Sequence, residues 1–279
     1  MQPIQWFPGH MTKALRMMEE NIKLCDGIIY VLDARAPFAC INFKLNELFN
    51  NKPVLYLLNK IDTIEARDAD KLRSAFISDG KRVLTTVGTS QKDGKAVYKA
   101  IIDMFKDKIE SKAARGIKKT LRVMVCGIPN TGKSSVINSL SGKKQAATGD
   151  KAGVTKGKQW IKLENIELLD TPGTMPPSFE NQTYAHHLAY IGAINDDILD
   201  KETLCLDFIE ELSSLYPEVL TQKYGVENGT PIEVYENICK KRGFLIRGGE
   251  YDYSRCAKAV FDDFRKQRLG LICLEREKI

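Results

Sequence analysis

Gly127-Ile128-Pro129-Asn130-Thr131-Gly132-Lys133-Ser134-Ser135 decides how this chain is read. It follows the apolar run Leu121-Arg122-Val123-Met124-Val125-Cys126 and precedes Val136-Ile137-Asn138-Ser139-Leu140. The first flank reads as a buried strand and the second as the opening of a helix. G-x-x-x-x-G-K-S between a strand and a helix is a phosphate-binding loop. Its glycines let main-chain N–H groups turn inward around a phosphate chain, and the helix N-terminus adds the positive end of its dipole. Asn130, Thr131, Gly132, Lys133, Ser134 and Ser135 are therefore candidate phosphate contacts. Lys133 would reach the β- and γ-phosphates, and the Ser134 hydroxyl would sit on Mg2+.

A length of 279 residues suffices for roughly two domains. The 43% hydrophobic and 28% charged content is that of an ordinary soluble globular chain. A net charge of +6 permits nucleic acid or an acidic surface as partner without demanding either. The seven cysteines are scattered, with no C-x-x-C pair, which points to reduced core residues of a cytoplasmic protein and away from a disulfide frame or zinc site. No stretch approaches the ~18 continuous apolar residues of a membrane span. The start, Met1-Gln2-Pro3-Ile4-Gln5-Trp6, lacks the basic-then-apolar design of a signal peptide.

From Gly27 to Asp170 apolar strands alternate with helical periods, which predicts an α/β fold with a mostly parallel sheet covered on both faces. Strands are expected at 27–33, 53–58, 82–87, 121–126, 159–163 and 166–169. Helices are expected at 12–24, 43–49, 66–78 and 97–109. Residues 88–94 read as a loop, 112–122 as a basic linker and 143–158 as a mobile glycine- and lysine-rich loop. From about Asn181 the strands stop, and helical periods run through 183–194, 203–215, 217–224, 231–242 and 253–267. The expected division is 1–178, an α/β nucleotide domain with an N-terminal extension, and 179–279, a small all-α domain.

Three further signals turn a phosphate site into a guanine-nucleotide site. Asn59-Lys60-Ile61-Asp62 stands at the C-terminal edge of a strand. The Asp62 carboxylate can accept from guanine N1–H and from the exocyclic amine, a pair of donors that adenine lacks. Asn59 would contact the base edge and pin the loop, while the Lys60 stem lies along the base face and Ile61 completes the turn. In Asp170-Thr171-Pro172-Gly173, Asp170 would hold Mg2+ through water and the Gly173 N–H would sense the γ-phosphate. Thr155, between these motifs, has a hydroxyl that can complete the metal shell. Ser90-Gln91-Lys92 or Thr89 would offer main-chain N–H to the guanine carbonyl.

The order of these motifs is unusual, because N-K-I-D precedes the phosphate loop. With Gln5-Trp6-Phe7-Pro8-Gly9-His10-Met11 in front and Gly248-Gly249-Glu250-Tyr251-Asp252 near the end, the chain resembles the circularly permuted GTPases of the YlqF/RbgA type, the ribosome biogenesis GTPase A family. The resemblance covers nearly the whole chain. It implies binding of GTP and GDP with Mg2+, and GTP hydrolysis that is slow alone and stimulated by ribosomal particles. It also implies a role in late assembly of the large ribosomal subunit through contact with precursor rRNA, with 179–279 as the RNA-contacting helical domain. A cytoplasmic monomer with no membrane partner is expected. The alternative is a nucleotide-gated RNA-binding module with little turnover, and a metabolic ATPase is opposed by Asn59 and Asp62.

Permutation should place the new chain ends between the strand carrying Asp170 and the strand at 27–33. The N-terminal segment would then reach the switch side of the nucleotide, and the segment after Gly173 would run straight into the helices. The position where many GTPases place a water-orienting Gln holds Thr174, a departure from the apolar residue usual in the family. The family's replacement maps to His10, expected to swing in from a flexible Pro8-Gly9-His10 loop. The resemblance also makes Asn130 a candidate ligand for K+ bridging the phosphates. Lys240, Lys241, Arg242 and Arg247 form one basic cluster, and Arg265, Lys266 and Arg268 another. The second suits either rRNA phosphates or the C-terminal dipole of its own helix.

Overall fold

The computed structural model describes residues 3–49, 51–143, 146 and 159–279. Among them the strands are β1 (Gly27–Asp33), β2 (Val54–Asn59), β3 (Arg82–Thr86), β4 (Leu121–Cys126), β5 (Gln159–Lys162) and β6 (Ile166–Asp170). They form one sheet in the order β3-β2-β1-β4-β6-β5. All neighbours are parallel except β5 and β6, which are antiparallel. The central strand β1 is buried at every position, which is why it reads as a continuous apolar run. The phosphate-loop strand β4 lies between β1 and β6, the two strands at which the permuted chain begins and ends its sheet.

The helices of this half are α1 (Gly9–Ile22), α2 (Phe43–Phe49), α3 (Ala66–Ser78), α4 (Gln91–Met104), α5 (Lys106–Ala113) and α6 (Lys133–Ser141). Strand residues alternate between two apolar layers. Ile29, Val31, Leu55, Leu57, Val123 and Val125 face Val97 and Ile101 of α4 and Val136 and Ile137 of α6. Ile28, Tyr30, Leu32, Tyr56, Leu58 and Met124 face α1, α2 and α3. This second layer continues without a break into α7 (Gln182–Tyr190), α8 (Lys201–Leu215), α9 (Val219–Tyr224), α10 (Pro231–Arg242) and α11 (Tyr253–Arg265). There Tyr190 packs on Phe208 at 4.7 Å between ring centroids, and Phe208 on Phe264 at 5.0 Å. All seven cysteines are buried and free.

Two local expectations are corrected. The helix expected at 97–109 is two helices that begin earlier. Ser90 recruits its start by accepting a hydrogen bond from the Asp93 N–H, so residues read as loop join α4. His10 is the second residue of α1 and exposed, not part of a flexible loop. Pro8 immediately precedes that helix, its carbonyl accepting from the Met11 N–H at 2.9 Å. The N-terminal segment is tied to the start of the helical part: Ile4 N–H donates to Gln182 Oε1 at 2.7 Å and Phe179 N–H to Gln5 Oε1 at 3.2 Å.

Candidate functional site

The site lies where β1, β2, β4 and β6 end. Parallel strands carry their following loops to one edge, and here those loops meet. Gly132 precedes the first turn of α6 with φ +92°, and a Cβ there would stand 2.3 Å from Asn59 Nδ2. That close approach has a purpose, because Asn59 Nδ2 donates to the Thr131 carbonyl at 2.7 Å. Asn59 Oδ1 accepts from Thr86 Oγ1 at 3.1 Å, so β2, β3 and the phosphate loop are pinned together by one buried amide. Of the two roles expected of Asn59, this geometry supplies the pinning of the loop.

Lys60, in the left-handed region at φ 60°, makes the second link. Its Nζ donates to the Asn130 carbonyl at 2.7 Å and pairs with Asp33 Oδ2 at 2.8 Å. Asp33 ends β1, fully buried, and takes a bidentate pair from Arg35 at 2.9 and 2.7 Å. Burial alone would raise the Asp33 pKa, but Arg35 and then Lys60 outweigh it and hold the carboxyl well below the usual range. Arg35 in turn lies 5.2 Å over the Phe264 ring of α11. This buried charge group was missed in the sequence. Its only signal there is a D-A-R step that closes an otherwise apolar strand.

Ile61, Asp62 and Thr63 form a single 3-10 turn with the Asp62 side of the loop exposed. Ser90 cannot serve as expected, because its N–H is donated to the Val87 carbonyl at 2.8 Å. Gln91 and Lys92 lie in the first turn of α4, and Thr89 stands just before its cap, Ser90.

On the phosphate side, Thr131 is buried and its hydroxyl donates to the Ile128 carbonyl, as does Lys133 Nζ at 2.7 Å. Ser134 and Ser135 follow in the first turn of α6, half-buried. Burial pushes Lys133 down to about 8 against the pull of Asp170, and pushes Asp170 up to about 6 against the pull of Lys133. Asp170 Oδ1 is buried without a hydrogen-bond partner among the described residues. A site whose cation and carboxylate are both driven toward neutrality, with an orphaned carboxylate oxygen, suits an anion and a hard cation together. Gly173 crosses the loop so closely that a Cβ would lie 2.6 Å from Pro129 N.

Thr174 is buried and its hydroxyl has no partner among the described residues, while its carbonyl accepts from Asn42 Nδ2 at 3.2 Å. The next residue, Met175, places its N–H 3.4 Å from the Met11 sulfur, so the helix carrying His10 packs on the segment after Gly173. The side chain of Asn130 points away from β4's edge into the helical part, where Nδ2 donates to the Gly192 carbonyl just past α7 at 2.6 Å. Thr155 lies outside the described residues.

The basic clusters differ. Lys240, Lys241, Arg242 and Arg247 are exposed, with Arg242 also 3.8 Å from Asp263. Arg265 is engaged inside the molecule, pairing with Asp196 and donating to the Tyr190 and Ala189 carbonyls, and Lys266 and Arg268 pair with Asp262. In the linker, Lys119 pairs with Asp26 and Arg122 with Glu167. His186 and His187 are buried, and His187 is hydrogen-bonded between Glu211 and Glu275.

Residues 122–228 match a family model described as a 50S ribosome-binding GTPase. The protein named ribosome biogenesis GTPase A of Priestia megaterium is 39% identical over 273 residues, covering 96% of this chain and 94% of that one. Its namesake in Thermotoga maritima is 30% identical over 274 residues, covering 98% and 94%. The crystal structure of GNP-bound YlqF from Thermotoga maritima superposes with a TM-score of 0.66 at 28% identity, covering 95% of this chain and 98% of that one. Its GDP-bound form gives 0.67 at 27% identity. A phosphate loop pinned to a guanine-type loop in permuted order, with relatives aligned end to end, places this chain in the ribosome biogenesis GTPase A family, as a circularly permuted P-loop GTPase.

Proposed function

We propose that the chain hydrolyses GTP as an assembly factor for the large ribosomal subunit, docking on precursor rRNA in its GTP state and leaving after hydrolysis. The observation that carries this reading is the Asn130–Gly192 hydrogen bond, which joins the phosphate loop to the helical part. A change at the phosphates thereby bears on residues 179–279, the proposed RNA-contacting unit beside a nucleotide unit of 1–178. The names of the relatives point to the ribosome, and the exposed Lys240, Lys241, Arg242 and Arg247 suit rRNA phosphates.

Asp62 reads the guanine, the first turn of α4 faces its carbonyl, and Lys133 with the main chain of 130–135 holds the phosphates. Asp170 and Ser134 would hold Mg2+, with Thr155 joining them; the ion supplies charge neutralisation at the transferred phosphoryl group. Asn130 would offer its carbonyl oxygen to K+ in the GTP state, in exchange for its contact with Gly192. His10 would orient the attacking water from the first turn of α1, and the buried Thr174 is the weaker candidate. The protein works as a cytoplasmic monomer.

One assay tests this reading: GTP turnover and co-sedimentation with isolated large subunits, in GTP analogue and in GDP. Binding favoured by the analogue and turnover raised by subunits are expected. Subunit-independent turnover would favour the RNA-binding module. In the same assay His10→Ala should lose the stimulated rate while keeping nucleotide affinity, and NaCl in place of KCl should lower it.

A further inference from the structure

The guanine loop is held from behind by the far end of the chain. Gln267 Nε2 donates to the Asp62 carbonyl at 2.7 Å, and the Ile272 N–H donates to the Thr63 carbonyl at 3.0 Å. On its other side the turn is closed by the Thr63 N–H and hydroxyl, both donating to the Lys60 carbonyl at 3.0 and 2.6 Å. The tail is itself firmly seated. The Leu274 N–H donates to the Arg35 carbonyl at 2.8 Å, and the buried Glu275 carboxylate accepts from the Phe38 and Ala39 N–H groups at 2.7 and 3.0 Å. Tyr216 OH accepts from the Cys273 N–H at 2.8 Å.

Gln267 is an expensive choice for its position. It follows the C-cap of α11, where its N–H donates to the Phe264 carbonyl and the Arg268 N–H donates to the Asp263 carbonyl at 2.7 Å. That pair of bonds needs a left-handed residue, here at φ 58°, and glycine is the residue that meets the need without strain. A residue with a side chain in this conformation is disfavoured unless the side chain has work to do. The contact to Asp62 is that work.

We propose that Gln267 is a positioning residue for guanine recognition: with the Ile272 main chain it sets the orientation of Asp62, so that selectivity for the base is built partly by the C-terminal tail. This rests on Asp62 reading the guanine N1–H and exocyclic amine. If Asp62 is turned out of line, the bond to the exocyclic amine weakens, and GDP loses its advantage over IDP, which lacks that amine. One such hydrogen bond corresponds to about fivefold in relative affinity.

The test compares GDP and IDP binding by titration calorimetry, alongside thermal unfolding, for the full chain and three variants. Gln267→Ala and Gln267→Gly should both lower the GDP-to-IDP affinity ratio about fivefold. Their stabilities should diverge, with Gln267→Gly the more stable because glycine relieves the left-handed strain. A ratio that follows stability, with Gln267→Gly keeping the wild-type value, would overturn the proposal and leave Gln267 a helix cap. Asp62→Asn should remove the preference for GDP over IDP. A preference that survives Asp62→Asn refutes the reading of Asp62 itself, and the role of Gln267 falls with it.

Discussion

Asp33→Asn is the most informative single change in the buried charge group. Asp33 has no exposed surface, and it holds Arg35 through contacts of 2.9 and 2.7 Å and Lys60 at 2.8 Å. Arg35 is itself only 3% exposed, so it cannot turn to water when its partner is neutralised. Removing one member of a buried pair costs about 3 to 5 kcal/mol, because the remaining charge is left uncompensated. For a chain of this size that lowers the Tm by roughly 10 °C. The pH dependence gives a second reading. The Asp33 pKa lies below its ordinary 3.8, because Arg35 and Lys60 outweigh the cost of burial. Its stabilising contribution is therefore complete above that ordinary value and is lost as pH falls through the lower, folded-state value. Thermal unfolding followed by circular dichroism should show a wide gap between wild type and variant at neutral pH that narrows in acid. A Tm change smaller than about 2 °C, or a gap that does not narrow in acid, would refute the account.

Two further outcomes follow from the geometry. Gly132→Ala puts a Cβ against Asn59 Nδ2 at a φ of +92°, so it should cost about 2 to 4 kcal/mol in denaturant unfolding and weaken GDP binding through the displaced Asn59–Thr131 bond. His187 sits between Glu211 at 2.6 Å and Glu275 at 3.3 Å; burial works against its charge, but these hydrogen bonds prevail and raise it from 6.5 to about 9. Its contribution, about 3 kcal/mol, is present below 6.5 and lost as pH rises through 9, so unfolding free energy should fall across that range and His187→Gln should flatten the profile.

Much of the fold was legible because the signals were local. Six apolar residues closed by Asp33 read as a strand buried on both faces, and β1 is that strand over the bounds read from the sequence. The α2 and α3 bounds were equally plain. The start of α4 was misplaced because one side chain, Ser90, capped a helix across residues that look like loop. His10 was placed in a loop because Pro8-Gly9 reads as a breaker, although proline also suits the position just before a helix.

The chemistry of the site is written in the chain itself. A G-K-S loop after a strand means phosphate, N-K-x-D means guanine, and their order means permutation, since each motif needs only its own few residues to state its use. Beyond the pinning role read for Asn59, how those loops are held came mostly from long-range contacts. Asn59 braces the phosphate loop, Asp33 clamps Lys60 and Arg35, Asn130 reaches Gly192, and Gln267 reaches Asp62, across sequence separations of 72, 27, 62 and 205 residues for Asn59–Thr131, Asp33–Lys60, Asn130–Gly192 and Gln267–Asp62. Apart from Asn59, whose role its motif announces, such pairings leave no periodic or motif signature, because a hydrogen bond depends on where two atoms arrive in space and not on the residues beside them in the chain.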